Sequence, residues 1–389
     1  MNIAVVGTGP VGTGQFAEGI PALAACLEEL SSDFSITVYS LLKPDTSAVN
    51  PRLRLRFLPF RTPLLGLDLL LLSAMILWDA RRRRFDLFHA IGSLPAGHVC
   101  TRLAKLLRIP CLVSLHAEEV ARLSDCDFGD LRSRKKHRIN ARVCRRADVL
   151  TALTRFQAEG LADIGIPPTT AEVLPFCVDL ARFPFTRKAL SPPYVFLHVA
   201  YSHPVKDIDT LLETFRRVSD QCDCRLIIIG HGHRNGRTSA LIEKHALSKI
   251  VEIIEPVSNM ALRQHYARAH FLLHTSRYES QGVVFNEAMA SGVVVCATRV
   301  GLAADLGDEH CITAPPGDAA GLARAILGVI RGPERYVHLC TQAYAWSGVH
   351  DLRWMVEQHK NLYHRLKTMR QPSHDETSPL HPGRRRRHP

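Results

Sequence analysis

Residues 278–292, with the sequence YESQGVVFNEAMASG, decide the fold class, because a strand-like apolar run lies on each side of them. The first run covers residues 271–273, and the second covers residues 293–297. The segment between them has the composition of a helix. A strand, a helix and a second strand in this order predict a unit of a parallel sheet.

The same segment carries two glutamates, Glu279 and Glu287, eight positions apart. A carboxylate in an otherwise apolar helix costs stability unless it has a partner. We expect the helix to begin near Gln281, so that both glutamates lie close to its positive N-terminal end. This arrangement predicts a site that holds the phosphates and hydroxyls of a sugar nucleotide.

Strand-like and helix-like runs alternate along the chain, which predicts an α/β fold with parallel sheets covered on both faces by helices. The pattern restarts near Tyr194, after a proline-rich linker at residues 183–193. We therefore expect two doubly wound, Rossmann-like domains, then an amphipathic helix and a disordered basic tail. The bounds that we propose for these four parts are 1–185, 186–345, 346–370 and 371–389.

The chain has 389 residues and a formal net charge of +12, concentrated in three blocks without acidic residues. The blocks at residues 81–84, 132–146 and 384–387 carry four, eight and four positive charges. Such patches suit an anionic surface such as phospholipid headgroups, or a phosphorylated ligand. Because no aromatic-interleaved basic motif accompanies them, we expect no nucleic-acid partner.

The eleven cysteines are scattered from Cys26 to Cys340, and no secretory leader is evident at the N-terminus. An odd number of cysteines without a leader argues against a disulfide framework. We expect a cytoplasmic protein, with peripheral contact to the inner face of the cytoplasmic membrane as an open alternative.

A glycine-rich motif, Gly7-x-Gly9-x-x-Gly12, follows the first strand-like run and has the spacing of a dinucleotide fingerprint. That fingerprint requires an acidic residue after the second strand, but residues 38–41 read VYSL. This difference counts against NAD. We instead expect Gly12 and Gly14 to allow close approach of the backbone to a phosphate, with a plain tight turn as the alternative.

Three further positions follow strand-like runs, and the carboxyl ends of parallel strands face the ligand crevice. His116 can orient or deprotonate a hydroxyl, Lys206 can neutralise a leaving diphosphate, and Gly230 provides a tight turn. Taken singly, each residue also fits a role without function, as a surface histidine, a solvated lysine or an ordinary turn.

Two Asp-x-Asp triplets, at residues 125–127 and 207–209, have the spacing that some metal-dependent sugar transferases use for a divalent cation. The first lies in a polar loop, and the second fits a helix cap. We therefore expect no metal site and no cofactor.

Two segments raise the question of a membrane contact. Residues 64–78 are strongly apolar but too short to span a bilayer, so we expect a buried crossover helix, with a monotopic contact as the alternative. In residues 132–146, one helical face carries cations that we expect either to be solvated or to dock on anionic lipid. These cations are Arg134, Arg138, Arg142 and Arg145.

Several motifs occur together in a fixed order: RYESQG at residues 277–282, EAMASG at 287–292 and TRVG at 298–301. VLPFCVD at residues 173–179 precedes them and has the form of an interdomain signature. With the glycine-rich first loop, His116 and Lys206, these motifs resemble the GT-B retaining glycosyltransferases of family 4 (group 1). The similarity covers most of the chain and is strongest over residues 195–301.

The resemblance implies a cleft between the two domains, a donor site on the second domain and a C-terminal helix that crosses back to the first. Glu287 would bind the donor ribose, Glu279 would contact the transferred sugar, and His116 would face the sugar or the acceptor. Lys206 and the amides of residues 280–284 would meet the diphosphate. The implied donor-binding residues are Gly12, Gly14, Lys206, Gly230, Val257, Glu279, Ser280, Gln281, Gly282, Val283 and Glu287.

The chain departs from the family pattern at a phosphate-binding position. Tyr201 or Ser202 stands where the family usually has an arginine, four or five residues before Lys206. The resemblance as a whole predicts a retaining, metal-independent glycosyltransferase that uses a UDP- or GDP-sugar and a carbohydrate or lipid-linked acceptor. A non-catalytic GT-B protein that binds a sugar nucleotide or a membrane is the alternative, and an oxidoreductase ranks third.

Overall fold

The computed structural model describes residues 1–7, 20–41, 52–58, 62–234 and 236–369, which form two parallel β-sheets. The strands of the first sheet are β1 (Asn2–Val6), β2 (Ser35–Ser40), β3 (Arg54–Phe57), β4 (Leu87–Ile91), β5 (Cys111–Ser114), β6 (Val149–Ala152) and β7 (Ala171–Val173). Their order is β3-β2-β1-β4-β5-β6-β7. The sheet therefore grows in one direction from β1 and then in the other from β4, as in a doubly wound domain.

The second sheet repeats this topology. Its strands are β8 (Tyr194–Val199), β9 (Cys224–Ile229), β10 (Val251–Ile254), β11 (Phe271–His274), β12 (Val294–Thr298) and β13 (Ile312–Ala314). They lie in the order β10-β9-β8-β11-β12-β13, so the reversal falls between β8 and β11. The predicted pair of doubly wound domains is confirmed. The sheets are joined by residues 174–193, and the domain boundary that we propose lies within this connection.

Helices cover both faces of each sheet. The α-helices of the first half are α1 (Pro21–Leu30), α2 (Leu65–Arg82), α3 (His98–Leu107), α4 (Arg134–Arg146) and α5 (Arg155–Glu159). Those of the second half are α6 (Ile208–Ser219), α7 (Arg237–Lys244), α8 (Asn259–Arg268), α9 (Val283–Ala290), α10 (Gly301–Leu306), α11 (Ala319–Arg331), α12 (Pro333–Val349) and α13 (Leu352–Thr368).

The first sheet is buried on both faces because side chains alternate along each strand. Ile3 and Val5 of β1 pack in one core cluster with residues of α1 and α13. Ala4 and Val6 point the other way and pack in a second cluster with residues of α2, α3 and α4. Continuous apolar strands are therefore needed here, and all five residues of β4 are buried.

Helix α13 returns to the first domain, as the sequence predicts. Its residues Met355, Leu362 and Tyr363 belong to the core cluster of β1 and α1. The hydroxyl of Tyr363 lies 2.9 Å from Nδ1 of the buried His89 on β4. The last described helix thus closes one face of the first sheet.

Two helices differ from their predictions. Helix α9 begins at Val283 with Gly282 as its N-cap, so the chain stays irregular two residues beyond the expected start at Gln281. Helix α2 is buried on one side only: Asp68, Leu72 and Ile76 are buried, and its outer face is exposed. None of the described helices is long and apolar enough to cross a membrane.

Candidate functional site

Lys206 and Glu279 meet at the carboxyl edge of the second sheet, where the strand order reverses between β8 and β11. Ligands of open α/β sheets bind in the crevice at such a reversal. Nζ of Lys206 lies 2.5 Å from Oε1 of Glu279, and the two side chains are only 13% and 12% exposed. Lys206 and Glu279, which the sequence predicts in separate roles, therefore form a largely buried ion pair in the crevice.

Three donors converge on the same oxygen of Glu279. Besides Lys206, Nε2 of His274 lies 2.8 Å from Oε1, and the hydroxyl of Ser276 donates to it at 2.7 Å. Burial by itself would raise the pKa of Glu279, but Lys206 and His274 outweigh burial and hold this pKa well below its usual range. Glu279 is therefore a carboxylate that stays ionised at neutral pH.

Two hydrogen bonds to backbone carbonyls fix the loop of Glu279 against the loop of Lys206. The amide of Arg277 donates to the carbonyl of Val205 at 2.7 Å. The hydroxyl of Thr275 donates to the carbonyl of Asp207 at 3.0 Å. Because the connections after β8 and β11 are bonded to each other, the ion pair does not depend on side-chain rotamers alone.

A cavity of about 430 Å³ opens beside the ion pair. Six of the sequence-predicted residues line it, namely Lys206, Gly230, Val257, Glu279, Gly282 and Val283. Gly230 has a φ of +152°, and a Cβ at this position would lie 1.7 Å from the carbonyl oxygen of Ala200. A side chain here would clash with the backbone, so the turn that shapes the cavity wall requires glycine.

Glu287 lines a neighbouring cavity of about 260 Å³, which shares Val283 with the first. Its Oε2 accepts a hydrogen bond of 2.8 Å from the hydroxyl of Tyr266, which is fully buried. Burial raises the pKa of Glu287 to about 7, and the Tyr266 hydroxyl opposes this rise. The two glutamates of the motif therefore differ in charge state near neutral pH.

Ser280 and Gln281 connect the site to the first domain. The hydroxyl of Ser280 donates to the carbonyl of His116 at 2.9 Å, and the carbonyl of Ser280 accepts from Thr154 at 2.6 Å. The buried side chain of Gln281 accepts from the amide of Phe176 at 2.8 Å and donates to its carbonyl at 2.6 Å. The side chains of Ser280 and Gln281 thus connect the loop before α9 to the first domain and to the segment between the sheets.

His116 follows β5 and lies on the first-domain side of these contacts. Its Nδ1 is 3.5 Å from Oε1 of the buried Glu119, whose carboxylate accepts from the amides of His116 and Ala117. Burial raises the pKa of Glu119, but the imidazole of His116 and the backbone amides of Glu119 and His116 outweigh burial and lower this pKa below its usual range. A Cβ on Gly92 would lie 2.9 Å from Cε1 of His116, so glycine leaves the space for the ring.

The remaining predictions fall in several places. Gly12 and Gly14 lie outside the described residues. Tyr201 is half exposed, with its ring centroid 5.6 Å from Nζ of Lys206. Arg134, Arg138 and Arg142 lie exposed on α4, away from the cavity linings.

The Asp-x-Asp triplets are engaged elsewhere. Asp125 pairs with Arg277, and Asp127 pairs with Arg132. Asp207 accepts from Thr210 as the N-cap of α6, while Asp209 forms a bidentate pair with Arg237 at 2.7 and 2.8 Å. The structure thus gives each aspartate a protein partner.

The sequence alone does not single out His274, Ser276 or Tyr266 as parts of this site. His274 and Ser276 stand only five and three residues before Glu279, and polar residues at the end of a strand would have been a usable signal. Tyr266 lies on another helix, and nothing in the local pattern connects it to Glu287.

Two family models match the chain. The model "Glycosyl transferases group 1" matches residues 193–331, and the model "Glycosyl transferase 4-like domain" matches residues 17–177. Together they cover well over half of the sequence. The chain belongs to the group 1 glycosyltransferases. The predicted family is confirmed, and the halves matched by the two models are the halves that carry the two sheets.

Curated relatives of this glycosyltransferase are distant. It is 23% identical to N-acetyl-alpha-D-glucosaminyl L-malate synthase of Bacillus anthracis over 68% of the chain and 70% of the relative. It is 28% identical to D-inositol 3-phosphate glycosyltransferase of Kineococcus radiotolerans over 59% of the chain. The second match spans 58% of that relative, so the chain covers less than two thirds of its length.

Solved structures confirm the GT-B fold of the glycosyltransferase. Sucrose-phosphate synthase from Thermosynechococcus elongatus superposes with a TM-score of 0.78 at 18% identity, over 95% of this chain and 99% of that one. HepE of Anabaena, solved in complex with UDP and glucose, gives a TM-score of 0.73 at 18% identity, over 94% and 100% of the two chains. At these identities the likeness concerns the fold.

Proposed function

We propose that this glycosyltransferase moves a sugar from a UDP- or GDP-sugar to a carbohydrate or lipid-linked acceptor, with retention of anomeric configuration and without a metal ion. The observation that carries the proposal is the buried pair of Lys206 and Glu279 beside a cavity at the strand reversal. Two structures of one fold neighbour support a nucleotide-sugar donor, because HepE was solved with UDP and glucose and with UDP-glucose.

The charges in the cavity suit the two ends of such a donor. Lys206 supplies a cation for the diphosphate, and the glycine turn at Gly230 allows phosphate oxygens to approach the backbone. The three donors on Glu279 all contact Oε1. We assign Oε2 to the hydroxyls of the transferred sugar. Glu287 would accept from the ribose hydroxyls, and Val257 would contact the base.

Three predicted elements complete the proposed site from the edge of the cavity. The amides of Ser280 and Gln281 precede the N-terminus of α9, where partial positive charge favours a phosphate. Gly12 and Gly14 would close over the diphosphate from the first domain. His116 would face the sugar or the acceptor hydroxyl.

In the proposed reaction the bond from the sugar C1 to the diphosphate oxygen breaks while the acceptor oxygen bonds to C1 on the same face. The acceptor proton passes to the departing phosphate oxygen, so no protein nucleophile is needed. The state of Glu279 supports this route. Its low pKa and its three donors make it a weak nucleophile, whereas a fixed carboxylate and ammonium stabilise charge through preorganisation.

Metal independence rests on the same cation. In metal-dependent transferases a divalent cation neutralises the leaving diphosphate, and we assign this role to the ammonium group of Lys206. We therefore expect an excess of EDTA to leave the transfer rate unchanged. A loss of activity that Mg²⁺ or Mn²⁺ restores would contradict this part of the proposal.

The test compares transfer of radiolabel from UDP- and GDP-sugars by the wild-type protein and two variants. Lys206→Ala and Glu279→Gln should each reduce the rate roughly 10²- to 10³-fold, as expected for loss of a preorganised charge. Lys244→Ala and Glu243→Gln are matched controls, because both residues are exposed on α7 of the same domain. Unchanged transfer by both site variants would refute the proposal.

The non-catalytic alternative has one observation in its favour. Tyr201 or Ser202 stands where the family usually has an arginine, so the proposed phosphate site has one cation fewer than the family pattern. The same assay separates the two functions. A protein that binds nucleotide sugars in a thermal-shift measurement but transfers none with any acceptor would be a binding protein.

A further inference from the structure

Helix α2 presents an apolar stripe to its surroundings. In the described part of the chain, fifteen large apolar side chains are exposed, and six of them lie within residues 64–78. Single exposed apolar residues are normal, but a contiguous group marks an interaction site. The six are Leu64 (67% exposed), Leu65 (50%), Leu67 (43%), Leu70 (68%), Leu71 (36%) and Trp78 (53%).

Four residues of the stripe, Leu67, Leu70, Leu71 and Trp78, have helical spacing and form one surface, whereas Leu64 and Leu65 are exposed at the start of the helix. Leu67, Leu71 and Trp78 follow one another at intervals of four and seven residues, which places them on one side of α2. The opposite side carries Leu72 and Ile76, which are buried in the core against the first sheet. The outer side of α2 is thus a second apolar face, separate from the one that holds the helix to the domain.

Positive charges surround the stripe. Four exposed arginines at residues 81–84 follow it directly, and the guanidinium of Arg82 lies 4.5 Å from the ring centroid of Trp78. Helix α3 packs beside α2, and α4 packs beside α3, in the same core cluster on one face of the sheet. The exposed cations of these two helices are Arg102, Lys105, Arg134, Lys135, Lys136, Arg138, Arg142, Arg145 and Arg146.

The cations of α3 and α4 lie close to one another as well as to solvent. His98, at the start of α3, has its pKa lowered by burial and then by Arg102, Arg142 and Arg146. Three guanidinium groups from two helices therefore lie close enough to the imidazole of His98 to disfavour its protonation. The outer surface of α2, α3 and α4, with its apolar stripe and its cations, is called the docking face below.

We propose that the docking face binds the surface of an anionic phospholipid bilayer, with α2 lying in the headgroup region. Leucines and a tryptophan on one side of a helix, flanked by arginines, suit this boundary, where apolar groups enter the acyl region and cations meet lipid phosphates. Charge complementarity selects a bilayer over a second copy of the chain, because two copies would bring their arginine clusters together.

The inference goes beyond the proposed transfer reaction and also locates its acceptor. Helices that connect parallel strands run antiparallel to them, so the first residues of α2 lie at the carboxyl edge of the first sheet, facing the cleft. A bilayer under α2 would thus reach the edge of the site, where a lipid-linked acceptor could enter. This last step depends on the proposed function, whereas bilayer binding does not.

The experiment measures flotation of the full chain with vesicles of phosphatidylglycerol and phosphatidylcholine, in equal parts, and with vesicles of phosphatidylcholine alone. The protein should float with the anionic vesicles and bind the neutral ones much more weakly, with loss of binding at high salt. Leu67→Gln/Leu70→Gln should weaken binding at least tenfold, because two apolar anchors are lost. Arg81→Gln/Arg84→Gln should weaken it about thirtyfold.

Matched controls exist elsewhere on the surface. Val337→Gln/Val349→Gln changes two comparably exposed apolar residues of α12, and Arg324→Gln/Arg353→Gln removes two exposed cations outside the docking face. Both should bind like wild type. The fluorescence of Trp78, the most exposed of the three tryptophans, should shift to the blue with anionic vesicles, and Trp78→Phe should abolish the shift.

Two results would overturn the proposal. One is a wild-type protein that does not float with anionic vesicles, or that floats equally well after Leu67→Gln/Leu70→Gln. The other is a wild-type dimer in sedimentation velocity that becomes a monomer in this variant, without vesicle binding by either form. The second result would assign the stripe to contact between copies. A wild-type protein that binds anionic vesicles but transfers no sugar would instead count against the proposed function alone.

Discussion

Three donors contact one carboxylate oxygen of Glu279, so its two oxygens have different roles. Oε1 is occupied by Lys206, His274 and Ser276. A carboxylate fixed in this way has a defined direction for Oε2, so it can position a sugar hydroxyl rather than sample many geometries. The orientation depends on His274, which is buried and contacts Glu279 from β11.

We predict that His274 acts as a positioning residue for Glu279. His274→Phe keeps a ring but removes the N–H group, and loss of a hydrogen bond to a charged group should lower kcat roughly ten- to a hundredfold. Because the diphosphate contacts remain, the KM for the donor should change less. His274→Gln restores an N–H donor and should recover most of the rate. Equal kcat values in the two variants would contradict a positioning role.

We also predict that donor affinity increases with pH through the titration of Glu287. With a pKa of about 7, the free carboxyl is mostly protonated at pH 6 and mostly ionised at pH 8. Ribose hydroxyls donate best to the ionised form, so the Kd for a UDP- or GDP-sugar should fall by up to about tenfold over this range. Calorimetric titration suits this test, because both phosphates of such a donor are esterified and stay ionised.

Glu287→Gln is the control for this titration. Its Kd should be weaker than that of the wild type at pH 8 and independent of pH between 6 and 8. A wild-type Kd that does not change over the same range would show that Glu287 does not bind the donor as an ionised group.

At the scale of elements, the loop before α9 both forms the site and joins the domains. Gln281 is fully buried, and its amide group bonds both the N–H and the carbonyl of Phe176. Asn286 of α9 donates to the same carbonyl at 2.8 Å. The segment between the sheets is thus attached to the helix whose N-terminus faces the cavity.

We predict that Gln281→Leu destabilises the protein by about 1–3 kcal/mol, because the buried backbone N–H of Phe176 loses its hydrogen-bond acceptor. Chemical denaturation followed by circular dichroism measures the change in unfolding free energy. Gln264→Leu is the matched control, since Gln264 is exposed on α8, and it should change stability by less than about 0.5 kcal/mol. Equal stabilities of the two variants would show that the contact with Phe176 is dispensable.

The element scale also shows where sequence patterns stop being informative. The alternation around Glu279 predicts β11, α9 and β12 correctly, because apolar runs separated by a helix leave few other arrangements. Helix α9 begins two residues after the predicted start, because Gly282 adopts a left-handed conformation. A glycine allows this conformation but does not require it, so the sequence does not predict it. The exposed face of α2 could not be predicted, since a run of leucines looks the same whether one side or both sides are buried.

At the scale of the whole molecule, two doubly wound sheets place their strand reversals on the two sides of one cleft. The family pattern predicts this architecture, because each half has its own set of alternating elements. It also predicts Lys206, Gly230, Val257 and Glu279 as donor-binding residues, and in the structure all four line one cavity. It does not predict Tyr266, because the contact of Tyr266 with Glu287 depends on two helices meeting in three dimensions.

The proposed front-face transfer makes a prediction for the product, and one measurement tests it. The wild-type protein is incubated with α-linked UDP- and GDP-sugars and with simple glycosides and glycerolipids as acceptors, and the anomeric configuration of the new linkage is read by proton NMR. We predict an α-linked product from the wild-type protein, formed at least roughly a hundredfold more slowly by Lys206→Ala. A β-linked product, or equal product formation by the variant, would contradict the account.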